Sequence, residues 1–144
     1  MKKPLLIAAV FLGFFIWYYL RHPLTSSVTI RNHKIFVELA ITENEKRKGL
    51  GERNKLPKDG GMLFLMGEPA YHGFWMNDMR FPLDFIWIDG KTVVDVTENV
   101  PNPVGNEPPM GLKPRVPADK VLEVNAGAIA LYKIAIGDAV SFKN

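Results

Sequence analysis

The sequence predicts a mostly β domain: a compact β-sandwich or partly closed barrel with one or two short helices, preceded by an N-terminal transmembrane helix. Three observations lead there. Short runs of alternating apolar residues recur along the chain, bounded by Gly, Pro, Asn or Asp. Six prolines, at positions 101, 103, 108, 109, 114 and 117, interrupt any regular element in one long stretch. An uncharged apolar run opens the chain, and nothing after it resembles it.

That run, Pro4 to Leu20, contains IAAVFLGFFIWYYL. At helical rise it extends about 26 Å, close to the hydrocarbon thickness of a bilayer. Trp17, Tyr18 and Tyr19 stand at its far end, where amphipathic rings favour headgroups. Lys2 and Lys3 favour a cytoplasmic N-terminus, and Arg21 on the other flank weakens that asymmetry. A cleaved signal peptide is the alternative. Its small-residue site would be Thr25-Ser26-Ser27, a poor one that follows bulky aromatics and Pro23. The expectation is an anchor and flank over residues 1–24 and an extracytoplasmic β-rich domain over 25–144. The chain would cross the cytoplasmic membrane once through residues 4–20, or be secreted if the segment is cleaved.

Beyond a short linker, Val28 and Ile30, then Ile35, Val37, Leu39 and Ile41, alternate around Arg31-Asn32-His33-Lys34 as a hairpin does. Thr42-Glu43-Asn44-Glu45 fits a capping box, so a short helix should run to Gly49, its charges forming a solvated face. Met62 to Met66 reads as a fully apolar strand, and Gly67 to Gly73 as a polar loop with His72. The stretch FWMNDMRFPLDFIWIDG, Phe74 to Gly90, alternates from Leu83 to Ile88. Asp89-Gly90 then supplies a tight turn into Thr92 to Thr97. Asn99 to Asp119 is an extended, proline-rich loop of the length that is functional or mobile in compact domains. Val121 to Val124 returns to strand, Asn125 caps a helical segment from Ala126 to Lys133, and Ala139 to Phe142 closes the chain as a strand.

Composition excludes several functions. With no cysteine there is no thiol catalysis, disulfide or cysteine-ligated metal. Of the 18 basic residues, Lys2, Lys3 and Arg21 precede the domain, and the rest balance its 15 acids. A neutral domain lacks the basic excess of nucleic-acid binders. The patterns of serine-hydrolase elbows, zinc metalloproteases, dinucleotide folds and P-loops are all missing.

The order of motifs is informative. Gly49-Leu50 with Arg53 follows the capped helix. Gly61-Met62-Leu63-Phe64, Phe74-Trp75-Met76 and Pro82-Leu83-Asp84 come next, then Phe85 to Asp89, Val121-Leu122-Glu123 and Gly137-Asp138-Ala139-Val140. From about Val28 to Phe142 the chain resembles the domain-of-unknown-function 192 family, also called uncharacterised protein family 0127. The resemblance implies a compact β-rich domain, often carried behind a signal peptide or membrane anchor, and no established activity. Many members look to have two cysteines in the proline-rich loop. Pro101 to Pro108 has none here, so no thiol role transfers.

Three constellations are candidates for chemistry. Asp84 and Glu123 are acids inside apolar strands. A paired-carboxylate hydrolase of envelope polysaccharide or peptide would need both on one cleft. Alternatively Asp84 holds backbone N–H groups, Asp89 serves its turn, and Glu123 pairs with Arg53 or Arg80. The methionines, with His72, Met76 and Met79 as the set, are soft ligands suited to copper, or else core filler. Finally, Trp75 with Met76, Asp84 and Arg53 would line a groove beside the proline-rich loop. The sequence therefore points to a membrane-anchored, non-catalytic binding module for an envelope protein or glycan, without cofactor. The hydrolase and copper handling are the alternatives.

Overall fold

A computed structural model describes residues 26–143. The expected membrane segment lies outside them. Among the described residues no helix is long and apolar enough to cross a membrane.

The first hairpin pairs β1 (Ser26–Ile30) with β2 (His33–Ala40) across Arg31 and Asn32, both at positive φ. The turn is therefore two residues long, and His33 belongs to the strand, stacked on Tyr132 with ring centroids 4.5 Å apart. Helix α1 (Glu43–Lys48) starts as the capping box predicts. Glu45 N–H donates to Thr42 Oγ1 at 3.3 Å, and Thr42 N–H donates to Glu45 Oε2 at 2.8 Å.

Strand β3 (Gly60–Ala70) runs parallel to β2, which requires the crossover that carries α1. It absorbs most of the expected polar loop. After the two-residue β4 (Phe74–Trp75), β5 (Leu83–Asp89) turns into β6 (Thr92–Val100). Here Asp89 ends the strand opposite Thr92, and Gly90 alone of the expected pair takes the left-handed conformation, at φ 57°. A short β7 (Gly111–Leu112) within the proline-rich loop pairs with β4, followed by β8 (Ala118–Asn125). Helix α2 (Ala128–Tyr132) is shorter than expected and is capped by Gly127 rather than Asn125; β9 (Val140–Lys143) follows it.

Seven strands form one sheet in the order β6-β5-β8-β3-β2-β1-β9. The sheet curls until the start of β6 meets the segment leading into β9. Thr92 bridges Ala139, Val93 N–H donates to Asp138 O at 2.9 Å, and Val140 N–H donates to Lys91 O at 2.9 Å. This is a half-barrel with two short helices. A sandwich would need a second sheet of comparable size, and β4–β7 is only a two-residue pair.

Both faces of the sheet are apolar. On the enclosed face, Val28, Ile35, Leu63, Ile86, Ile88, Leu122 and Val140 pack with Ile129 of α2. On the outer face, Met62, Phe64, Phe85, Trp87 and Val121 lie under Leu50, Met76 and Met79. Phe74 of β4 caps this second cluster, edge-on to Phe64 at 5.0 Å and to Trp87 at 5.5 Å. The unbroken apolar run of β5 follows, since a strand covered on both sides need not alternate apolar with polar.

Candidate functional site

Register decides which side chains share a face. Asp84 is paired with Val124, and Phe85 with Glu123. Directly opposed residues point the same way, so Asp84 and Glu123 lie on opposite faces of the sheet.

Asp84 is fully buried on the enclosed side. Its Oδ1 accepts the N–H of Asn99 at 2.7 Å and its Oδ2 the N–H of Ile129 at 2.9 Å. Asn99 stands at positive φ, at the bend where β6 runs out. The carboxylate therefore ties that bend and the start of α2 to the sheet.

Glu123 is different. It is 5% exposed, and its neighbours across the strands are Met62 and Phe85. No hydrogen bond or ion pair reaches its carboxyl from the described residues, yet it is not sealed in, because it lines a pocket of about 400 Å³. Burial pushes its pKa up to about 8. Neither cation expected to pair with it does so. Arg53 forms a two-pronged ion pair with Glu38, at 2.5 and 2.8 Å, and Arg80 donates to Asn54 Oδ1 at 2.6 Å.

The pocket lies over the outer face. Its apolar walls come from Leu50, Phe64, Met66, Phe74 and Met79, and Trp75, 59% exposed, stands at its rim. Helix α1 supplies Glu43, Lys46, Arg47 and Lys48, while His72 comes from the loop before β4. The charges of α1 thus border a cavity rather than only a solvated face. Lys46 is held by Glu43 at 3.2 Å.

Of the groove candidates, Trp75 and Met76 do adjoin the proline-rich loop. Trp75 pairs with Gly111, and Met76 N–H donates to Met110 O at 3.0 Å. The Met76 side chain is fully buried, Asp84 faces the other side, and Arg53 does not line the pocket. Of the copper set, His72 and Met79 reach the same pocket and Met76 belongs to the core beneath. The His72 Nε2 sits 3.0 Å from Glu68 O. The contribution of Arg47 and Lys48 was missed. The signal that could have found them is the helix's place immediately before Gly49-Leu50, in the crossover over the outer face.

A second hollow of about 390 Å³ lies between β2 and the turn before β3. Its acids already have partners, Glu38 in Arg53 and Asp59 in the Tyr132 hydroxyl at 2.9 Å. The proline-rich loop is pinned at its far end by Asp95 of β6, which is buried and accepts the N–H of Arg115 at 2.7 Å as well as its guanidinium.

Comparison with known proteins adds a family and two structures. The family model described as DUF192, an uncharacterized family, matches residues 26–142. A protein of Sinorhizobium meliloti, described as a candidate transcription regulator, is 30% identical with a TM-score of 0.74, over 83% of this chain and 94% of that one. A protein of unknown function from Novosphingobium aromaticivorans is 33% identical with a TM-score of 0.69, over 80% and 83%. No curated protein matches.

Proposed function

The chain belongs to the DUF192 family, and on that premise we propose that its domain is a non-catalytic binding module whose ligand enters the pocket above Glu123. The module is carried outside the cytoplasm on an N-terminal membrane anchor. One observation carries the reading: a buried carboxyl with no partner among the described residues forms part of the wall of an open, aromatic-rimmed cavity. Buried ionisable groups are costly unless paired, so a site that leaves one unpaired suits a ligand that completes it. The apolar run at residues 4–20 supports the anchor. An envelope protein or glycan that presents a small polar group to the pocket is the expected partner.

The hydrolase loses its second acid, because Asp84 stands on the far face with both oxygens engaged. The balanced charge of the domain offers no excess to draw phosphate backbones.

The test is a thermal-shift screen of small solutes and envelope fragments on the detergent-solubilised full chain, alongside Trp75→Ala and Glu123→Gln. Ligands should raise the melting temperature of the wild type and lose that effect in both variants. Equal shifts in all three proteins would sink the pocket as the ligand site.

A further inference from the structure

We propose that the Glu123 pocket takes a small zwitterion, its ammonium group seated against the Glu123 carboxyl and its anionic group meeting Arg47 and Lys48. This rests on the reading of the pocket as a ligand site and names what fills it.

Three features of the walls carry the assignment. First, the Glu123 carboxyl receives no donor from the described residues and opens onto the cavity, so a donor on a molecule entering it can reach the carboxyl. Second, Phe64, Phe74 and Trp75 line the same space. Aromatic faces beside a carboxyl form the cage that organic ammonium groups favour. Third, the sign of charge reverses along α1. Lys46 is occupied by Glu43, while Arg47 and Lys48 are exposed and bear no ion pair among the described residues. A simple cation would be repelled by these two, and a simple anion would meet Glu123. A molecule with both charges, amine end inward, satisfies the two regions at once. The cavity volume, about 400 Å³, is at the small end of ligand pockets, which fits an amino-acid-sized solute.

Proton accounting gives the proposal a distinctive readout. Burial raises the pKa of Glu123 to about 8, so without a bound cation the carboxyl holds a proton at neutral pH. The ionisable groups lining the same cavity are Glu43, Lys46, Arg47 and Lys48 of α1 and His72 before β4. From β3 and β5 the residues facing Glu123 are Met62, Phe64 and Phe85, none of which titrates. An incoming ammonium replaces the proton, which leaves to solvent. Below pH 8, affinity should therefore rise about tenfold per pH unit.

The probes are the ω-amino acids from β-alanine to 6-aminohexanoate, a series that scans the separation of the two charges. The matching alkylamines and alkanoates carry one charge each. Titration calorimetry on the solubilised full chain, at pH 6.5 and 7.5 in buffers of different ionisation enthalpy, should find at least one ω-amino acid that binds. It should bind about tenfold tighter at the higher pH, with release of close to one proton, and at least tenfold tighter than its amine or alkanoate counterpart. Glu123→Gln should lose at least tenfold in affinity together with the pH dependence, while melting no lower than the wild type. Arg47→Ala with Lys48→Ala should weaken the ω-amino acid severalfold and leave the alkylamine unchanged. The zwitterion assignment is overturned if no member binds, if an alkanoate binds equally well, or if Glu123→Gln binds normally. A solute without an ammonium group that binds the wild type but not Trp75→Ala would remove the ligand class and keep the pocket. Binding indifferent to both Trp75→Ala and Glu123→Gln would remove both.

Discussion

Glu123 makes native stability depend on pH in an unusual direction. Its pKa stands near 8 in the folded chain against an ordinary 4.5. Between those values the unfolded chain gives up a proton that the native state keeps, so stability falls as pH rises, by at most about 1.4 kcal/mol per unit. Urea midpoints measured from pH 5 to 8 should drop for the wild type and stay level for Glu123→Gln. Parallel curves would show that the native carboxyl is ionised. Two other acids act in the opposite sense and at lower pH. The hydrogen bond from Arg53 holds Glu38 below its usual range, and at Asp95 burial is outweighed by the Arg115 contacts. Their contributions are present above the ordinary carboxylate pKa and vanish in acid, outside the window where Glu123 acts. Asp84 is a different kind of residue: Asp84→Ala strands the N–H groups of Asn99 and Ile129, at a cost of about 2–4 kcal/mol. Urea denaturation should show that loss, and an Asn99 and Ile129 region as stable as before would mean that water replaces the carboxylate. Both acids were legible as anomalies, since each interrupts an apolar run. Their opposite roles were not. Alternation orders side chains along one strand, whereas the Asp84–Val124 and Phe85–Glu123 pairings come from adjacency between distant segments.

At the level of elements, local chemistry was the most readable. Thr42 and Glu45 announce the start of α1 because a capping box is satisfied within four residues. The first hairpin was equally plain, although its turn is only Arg31-Asn32. The parallel pairing of β2 with β3 had no such local signal, and neither did the length of β3, whose Gly67-Glu68-Pro69 portion reads as a loop. Gly61 shows what the pairing of β3 with β8 demands. A β-carbon there would fall 2.8 Å from the carbonyl oxygen of Glu123, so Gly61→Ala should push β3 from β8 and distort the pocket floor. A lowered urea midpoint together with weakened ligand response is the expected result. The proline-rich loop is irregular apart from the short β7 and its two ends, and its attachment leaves no local signal because Asp95 and Arg115 are twenty residues apart. Arg115→Ala should release the loop while leaving the sheet intact. Limited proteolysis between residues 101 and 117 should then proceed severalfold faster, and an unchanged cleavage rate would assign the anchoring to the β4–β7 pair instead.

For the whole molecule, the half-barrel carries a core of its own. Residues 26–143 contain both apolar clusters, so a chain lacking residues 1–25 should fold with the same urea midpoint. It should also move from the membrane pellet to the soluble fraction, and persistence in the pellet would count against the anchor. A barrel was within reach of the sequence, because many short strands with turns admit few architectures. Closure was not, since it depends on Lys91 to Val93 meeting Gly137 to Val140 from opposite ends of the strand order. That closure and the place of β1 have a mechanical consequence. The strand nearest the N-terminus is an interior strand of the sheet, hydrogen-bonded on one side to β2 and on the other to β9. Tension applied at Ser26 along the strand axis would load both ladders across their hydrogen bonds together, in shear rather than one bond at a time. A domain tethered from that end would be gripped through two ladders at once, so thermal jostling of the tether would not peel the fold open from where it is attached.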